Sequence, residues 1–278
     1  MINNRVIFLF LILNLATTST LSWGDKGHRL INRHAMNNLH PDMTDFKILN
    51  DTISALASAP DKRRKYDPTE YTKHFIDIDF YEEFLSYKME RNLNRLKEKY
   101  SDSIVTKMGI LPWNTIDCYK ELVTVLHERK KDLTIKLMAD IGHYVADAHN
   151  PMHTVLNYDG ILSNQKGLHS RYESKMFNFF YEEIENALKV VNPTEISNIE
   201  TYVWDYITAS HYNHHLIFLG DLEGVKMDSS YGEKYYEVFW LRTKFLTFQS
   251  LNNAVEAIAS IFYTAWIEAG KPAFNEFY

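Results

Sequence analysis

Two pairs of residues in this chain set an imidazole and a carboxylate four positions apart. The first lies in His143-Tyr-Val-Ala-Asp147-Ala-His149-Asn-Pro151-Met-His153, the second in His169-Ser-Arg-Tyr-Glu173. Residues at i and i+4 share a helix face, so each pair can grip one ion. Imidazole nitrogen and carboxylate oxygen are donors that zinc accepts at about 2.0–2.2 Å. Pro151 ends the first helix and puts His153 on the exit loop. One such pair alone is equally the wet face of an ordinary amphipathic helix. Two pairs flanking a further His bring a metal centre level with that reading. On a helical wheel the His143/Asp147 pair lies opposite the apolar stripe, beside Lys136 and Asp140, and so faces water or a cleft.

Weaker signals stand upstream. They are Trp23-Gly-Asp-Lys-Gly27-His28, Ala59-Pro-Asp61-Lys-Arg-Arg64 and His74-Phe75-Ile-Asp77-Ile-Asp79. Singly, each reads as a packed histidine or a surface charge. Downstream, His211 and His215 form another i,i+4 pair, with His214 between them. No carboxylate joins that pair at matching spacing, so its expected role is structural. No His-Glu-x-x-His occurs, which disfavours a zinc metalloprotease.

The elements that must position these residues are helical throughout. Residues 133–148, 116–126 and 172–188 carry apolar side chains at helical spacing, and Leu251 to Trp266 marks a C-terminal helix that Gly270 and Pro272 stop. Asp25 is expected to cap a helix running to about Leu39, Pro41-Asp42 to open a second, and 202–219 to form another. Alternating strand patterns, internal repeats and low-complexity linkers are absent from the sequence. The economical reading is all-α, a single-domain helical bundle over residues 23–278.

Residues 1–22 read as a signal peptide. Arg5 precedes an apolar run at 6–16, which is too short for the roughly 20 residues of a membrane span. Thr20 and Ser22 suit the cleavage positions, so the product is expected to be exported, periplasmic or secreted, with Trp23 as its first residue. A liberated α-amine beside its own carbonyl can chelate a metal. Cys118 is the only cysteine among 278 residues, so no intramolecular disulfide is available. It reads as a small buried hydrophobe. A net charge of -6 and a pI near 6.1 exclude a generally basic nucleic-acid binder and leave a local basic patch open. With 45% hydrophobic residues the chain can bury a large core, and few Gly or Pro argue against turn-rich all-β folds.

In sequence order these residues resemble the superfamily of zinc-dependent phospholipases C and the single-strand-specific nucleases of fungi and plants, the 3′-nucleotidase type. The resemblance runs from Trp23 to Glu173, with a looser match near 263–272. Its specific part is the order: Trp, His, Asp, His-Phe-x-Asp, His-x3-Asp-x5-His, then His-x3-Glu. It implies an all-α fold with a trinuclear zinc cleft. Asp61, His74, His143 and Asp147 would hold one ion, and His153, His169 and Glu173 the second. The Trp23 amine and carbonyl, His28 and a bridging Asp147 would hold the third. It further implies phosphodiester hydrolysis by metal-activated hydroxide. Asp61 and Arg64 are the catalytic candidates, Asp61 for the water and Arg64 for a phosphate oxygen. Phe75 and Asp77 are the candidates for headgroup or base.

Within the superfamily, Glu173, the Pro151-Met-His153 context and the short gap from His153 to His169 favour the phospholipase C arm. The tight Trp23–His28 spacing and the Asp61-x-x-Arg64 step are similar to the nucleases. The cysteine pairs common in secreted fungal members are missing. The expectation is therefore a phospholipase C-like hydrolase, with a single-strand-specific nuclease as alternative and a non-catalytic exported zinc protein behind both. The substrate is expected to be a phospholipid headgroup or single-stranded nucleic acid and nucleotides, and no protein partner is implied.

Overall fold

The computed structural model describes residues 23–278; the signal-peptide reading of 1–22 lies outside the described residues. The chain runs through α1 (Gly24–Asn37), α2 (Asn50–Leu56), α3 (Ala59–Arg63), α4 (Leu93–Tyr100), α5 (Asp102–Lys107), α6 (Leu111–His127) and α7 (Lys131–Ala148). It continues with α8 (Leu168–Ser170), α9 (Phe177–Phe179), α10 (Tyr181–Ala187), α11 (Ile199–Tyr212), α12 (His214–Met227) and α13 (Glu233–Glu268). No strand occurs among the described residues. The fold is an all-α bundle, and no described helix is long and apolar enough to cross a membrane.

The central element is α7. It packs against α1, α2, α3, α6 and α13, and every residue from 137 to 148 is buried. The stripe of Leu137, Ile141 and Val145 joins the larger core with α1, α6 and α13. A smaller core, built from Ile76, Tyr81, Trp113, Tyr144 and Trp204 among others, lies under the segment that follows His74. The polar face of α7 is therefore covered rather than wet. That burial is what an amphipathic wheel cannot reveal, because it depends on which segments fold back over the helix.

Several boundaries differ from the sequence expectation. Asp25 does not cap α1; it sits in the first turn and pairs with Arg29 at 2.6 Å. The cap position is Trp23, whose backbone is left-handed (φ +40°). Pro41 opens a 3-10 stretch, Pro41–Leu49, that runs into α2. Residues 172–188 are not one helix. A π-helical turn, Arg171–Met176, joins α8 to α9, and Phe180 breaks the helix before α10. The expected helix over 202–219 breaks at Asn213, whose side chain bonds back to Ala209. The C-terminal helix is far longer than its strongest apolar stretch, at 36 residues. Cys118 is half-buried and unpaired, and burial pushes its thiol up to about 12, so it stays protonated at neutral pH.

Close approach of α1 to α7 depends on Gly142. A Cβ there would meet Asn32 Oδ1 at 1.8 Å, and Asn32 is itself buried, donating to the His28 carbonyl at 2.9 Å. Gly142→Ala is therefore expected to destabilise by about 1–3 kcal/mol through overpacking, although alanine is the better helix former by about 1 kcal/mol. Denaturant midpoints measure this directly. A more stable variant would show that the two helices are not in contact there.

Candidate metal centre

The structure gathers all nine candidate metal-binding residues. Asp147 presents Oδ1 to His28 Nε2 at 3.3 Å. Its Oδ2 meets His74 Nδ1 at 3.0 Å and His143 Nε2 at 3.3 Å. Asp61 Oδ1 lies 3.7 Å from His74 Nδ1 and 3.9 Å from His143 Nε2. His28 and His143 stack with ring centroids 3.9 Å apart. On the other side of the cleft, Glu173 Oε2 lies 2.9 Å from His169 Nε2 and 3.4 Å from His153 Nε2. The Trp23 backbone N–H donates to that same Oε2 at 3.1 Å, while its indole N–H donates to Ala146. The Trp23 carbonyl accepts from Gly27 in the first turn of α1.

These contacts form three groups whose donor atoms all lie within 4.8 Å of one another: His28, His143 and Asp147; Asp61, His74 and His143; His153, His169 and Glu173. All the residues are buried. Burying this many ionisable groups is costly unless they are paired or coordinate a cation. Asp61 Oδ2, Glu173 Oε1 and the Nδ1 atoms of His28 and His169 have no hydrogen-bond partner among the described residues. In several cases the opposite edge of the ring is fixed by backbone. His143 Nδ1 bonds the Ala57 carbonyl at 2.8 Å and His153 Nδ1 the His74 carbonyl at 2.7 Å, which aims both Nε2 atoms inward. A second partner that fixes the tautomer and the ring direction is the usual support for a ligating histidine. The donor set, its burial and its unpaired atoms fit divalent metal ions of the zinc type.

The electrostatics of the two carboxylates agree with this fit, since a ligating carboxylate must be ionised. Burial works against the charge on Asp147, yet His143 and His153 hold its carboxyl well below the usual carboxylate range. Burial likewise opposes ionisation of Glu173, and His169 and His153 keep it below its ordinary value. His143 stands at about 9, because Asp147 and Asp61 outweigh its desolvation. His28 falls below its ordinary value through burial and the neighbouring His143.

The cleft above these groups is lined by Arg64, Tyr71, Phe75, Asp77, Tyr158 and the rims of the histidines. The basic run 62–65 divides its labour. Arg63 turns inward to Asp140 and Glu70. Arg64 lines the cleft, 3.3 Å from Asp61 Oδ1 and over the Tyr71 ring at 4.8 Å. Phe75 packs edge-on against Tyr71 at 5.3 Å. Burial first, and Asp79 second, push the Asp77 carboxyl well above its ordinary value. His211 is buried apart from these groups. It bonds the Thr154 carbonyl at 2.7 Å and packs on Phe84, and His214 and His215 bond back to their own turns.

Three contributors escaped the sequence reading. Tyr158 lies on the loop between His153 and His169, with its ring 5.5 Å from His169. Asn150 donates to Glu173 Oε2 at 3.1 Å. Glu70 is buried, lies 3.5 Å from His74 Nε2, and takes hydrogen bonds from Arg63, Lys73 and Tyr144. The Glu70-x3-His74 spacing was legible as a third imidazole–carboxylate pair. Glu70→Gln is expected to weaken zinc binding roughly 10–100-fold, the usual cost of losing the group behind a ligating histidine. Competition with a chromophoric chelator measures it, and unchanged affinity would remove Glu70 from the centre.

Comparison with known proteins places this geometry. Endonuclease 1 of Arabidopsis thaliana is 26% identical over 172 residues, covering 56% of this chain and 52% of its own length. The chain thus spans about half of that relative. Among solved structures, "Alpha Toxin from Clostridium Absonum" shares the fold with a TM-score of 0.52 at 13% identity, over 89% of this chain and 65% of the toxin. The sequence model of the S1/P1 nuclease family matches residues 23–199, which takes in every group of the cleft. With more than half of its length so matched, and its His, Asp and Glu residues gathered in one centre, the chain belongs to the S1/P1 nuclease family.

Proposed function

We propose that this chain is an exported, zinc-dependent phosphoric-ester hydrolase acting on single-stranded nucleic acid or nucleotides. The observation that carries the reading is the convergence of three buried donor groups beneath a cleft that offers a cation, aromatic rings and a buried carboxyl. In this reading Asp61, His74, His143 and Asp147 hold one ion, and His153, His169 and Glu173 a second. Trp23, through a free amine and its carbonyl, holds a third with His28 and Asp147. Bound zinc would supply positive charge against the anionic ester and would acidify water.

The chain's own residues do the rest. Asp61 has one oxygen turned to Arg64 and the other without a partner, which suits it to orient water besides ligating. Arg64 is held by Asp61 and Tyr71 at the cleft wall, where its guanidinium can fork onto a phosphate oxygen. Phe75 offers a stacking face for a base. Asp77, whose carboxyl burial pushes well above its ordinary value, lines the cleft, where it can hydrogen-bond the edge of a nucleobase.

A phospholipid is the second reading. It rests on Glu173, on the short gap from His153 to His169, and on the rings of Tyr71, Phe75 and Tyr158, which could surround a quaternary ammonium. The family match and the endonuclease relative weigh on the nucleic-acid side. The deciding experiment is a substrate panel on purified, zinc-loaded protein beginning at Trp23, with single-stranded DNA, RNA, a 3′-nucleotide, phosphatidylcholine and p-nitrophenylphosphorylcholine. Cleavage of nucleic acid without phosphatidylcholine supports the proposal, and the reverse selects the second reading. A zinc-replete protein that turns over no ester would be a zinc-binding protein without catalysis.

A further inference from the structure

Arg171 lies between His169 and Glu173 in sequence, yet its side chain points away from the cleft and is buried. Its guanidinium meets Asp221 Oδ1 through Nε at 2.8 Å and Nη2 at 2.7 Å. The remaining donors close on the chain just ahead of His169: Nη1 to the Lys166 carbonyl at 2.7 Å and Nη2 to the Gln165 carbonyl at 3.0 Å. Asp221 sits on α12 and is completely buried. Tyr235 of α13 donates its hydroxyl to the same carboxylate oxygen, and Gln165 donates to the other oxygen at 2.8 Å.

No buried side-chain nitrogen or oxygen of this knot is without a partner, which is the condition under which a buried ion pair fixes one arrangement. What it fixes is specific. The π-helical turn Arg171–Met176 follows His169 and contains Glu173. Such a turn is rare and is frequently found at functional sites. The loop that Arg171 ties down carries Tyr158 into the cleft. Asp221 and Tyr235 also lie beyond the 23–199 stretch that the family model matches, so this support comes from the chain's C-terminal hairpin.

We infer that Arg171 and Asp221 form a positioning pair, through which α12 and α13 hold His169 and Glu173 in register for the ion they share with His153. This rests on the metal reading proposed above. Asp221→Asn keeps the shape of the side chain but removes the charge that gathers Arg171, Tyr235 and Gln165. It is expected to weaken the zinc that His153, His169 and Glu173 would share roughly 10–100-fold, as losses behind a metal ligand do, and to shift the visible absorption of the cobalt-substituted protein. Phe46→Leu, in the core against Phe274 and Phe277, serves as a control that lowers stability away from the cleft.

Zinc affinity is read by chelator competition on full-length protein beginning at Trp23, with folding checked by circular dichroism. Weakening by Asp221→Asn and not by Phe46→Leu supports the inference. Equal affinity in Asp221→Asn and the parent overturns it while leaving the metal reading intact. Weakening by both variants also overturns it, since general loosening then accounts for the effect. A parent protein that binds no zinc overturns the inference and the proposed function together. If Asp221→Asn does not fold, Tyr235→Phe decides: a several-fold loss of affinity supports the pair, and none overturns it.

Discussion

Replacing Asp147 with Asn is expected to release two zinc ions at once and to lower hydrolysis by roughly a thousandfold, about 4 kcal/mol at 1.36 kcal/mol per decade. The two carboxylate oxygens point at different partners, one at His28 and the other at His74 and His143. A carboxylate so placed can bridge; an amide brings one neutral oxygen and an N–H₂ that repels a cation. The change also removes the negative charge that holds His143 at about 9. Elemental analysis after dialysis against a weak chelator, beside turnover on the best substrate of the panel, measures both effects. Loss of a single ion would mean that Asp147 serves one site only, and full occupancy with full activity would remove it from the centre. The same substitution leaves His153, His169 and Glu173 untouched, so one ion should persist. That residual occupancy separates local loss from unfolding.

The all-α class was legible because apolar periodicity is a local signal, carried by each helix on its own residues. The grouping of candidate residues was legible for a related reason. His143 with Asp147, and His169 with Glu173, are paired by helix geometry alone. What brings the two pairs together is not local. The Ala57 carbonyl fixes His143, the His74 carbonyl fixes His153, and Asn150 reaches Glu173 across 23 positions. Backbone carbonyls leave no mark in a sequence, so this supporting layer was invisible. The covering of α7 was invisible too, because its polar face reads equally as facing water or a cleft until α1, α2 and α3 fold over it. The break at Asn213 and the π-turn at Arg171 illustrate a further limit. Apolar spacing continues through both, and long-range contacts that the spacing does not show sit beside each interruption: His211 to the Thr154 carbonyl in the first case, Arg171 to Asp221 in the second.

Adding one residue ahead of Trp23 is expected to remove one zinc and most of the activity while leaving the fold in place. The argument turns on the chemistry of a single nitrogen. As a free amine, the Trp23 nitrogen has a lone pair once it loses its proton. In a peptide bond that pair is delocalised into the carbonyl and the nitrogen only donates, as it does toward Glu173 Oε2 at 3.1 Å. The side chain needs no such change. Its indole is buried between Tyr172 and Phe177 and is anchored on the Ala146 carbonyl, so Trp23 stays seated with or without a preceding residue. Placement and ligation are thereby separable. Two proteins, one beginning at Trp23 and one with a single Gly before it, should unfold at similar denaturant concentrations and differ in zinc content by one ion per chain. Equal zinc content and equal turnover would exclude the terminal amine as a ligand and reduce the centre to side chains alone. A loss of one ion that is restored when an aminopeptidase trims the extra residue would locate the third site at the processed terminus.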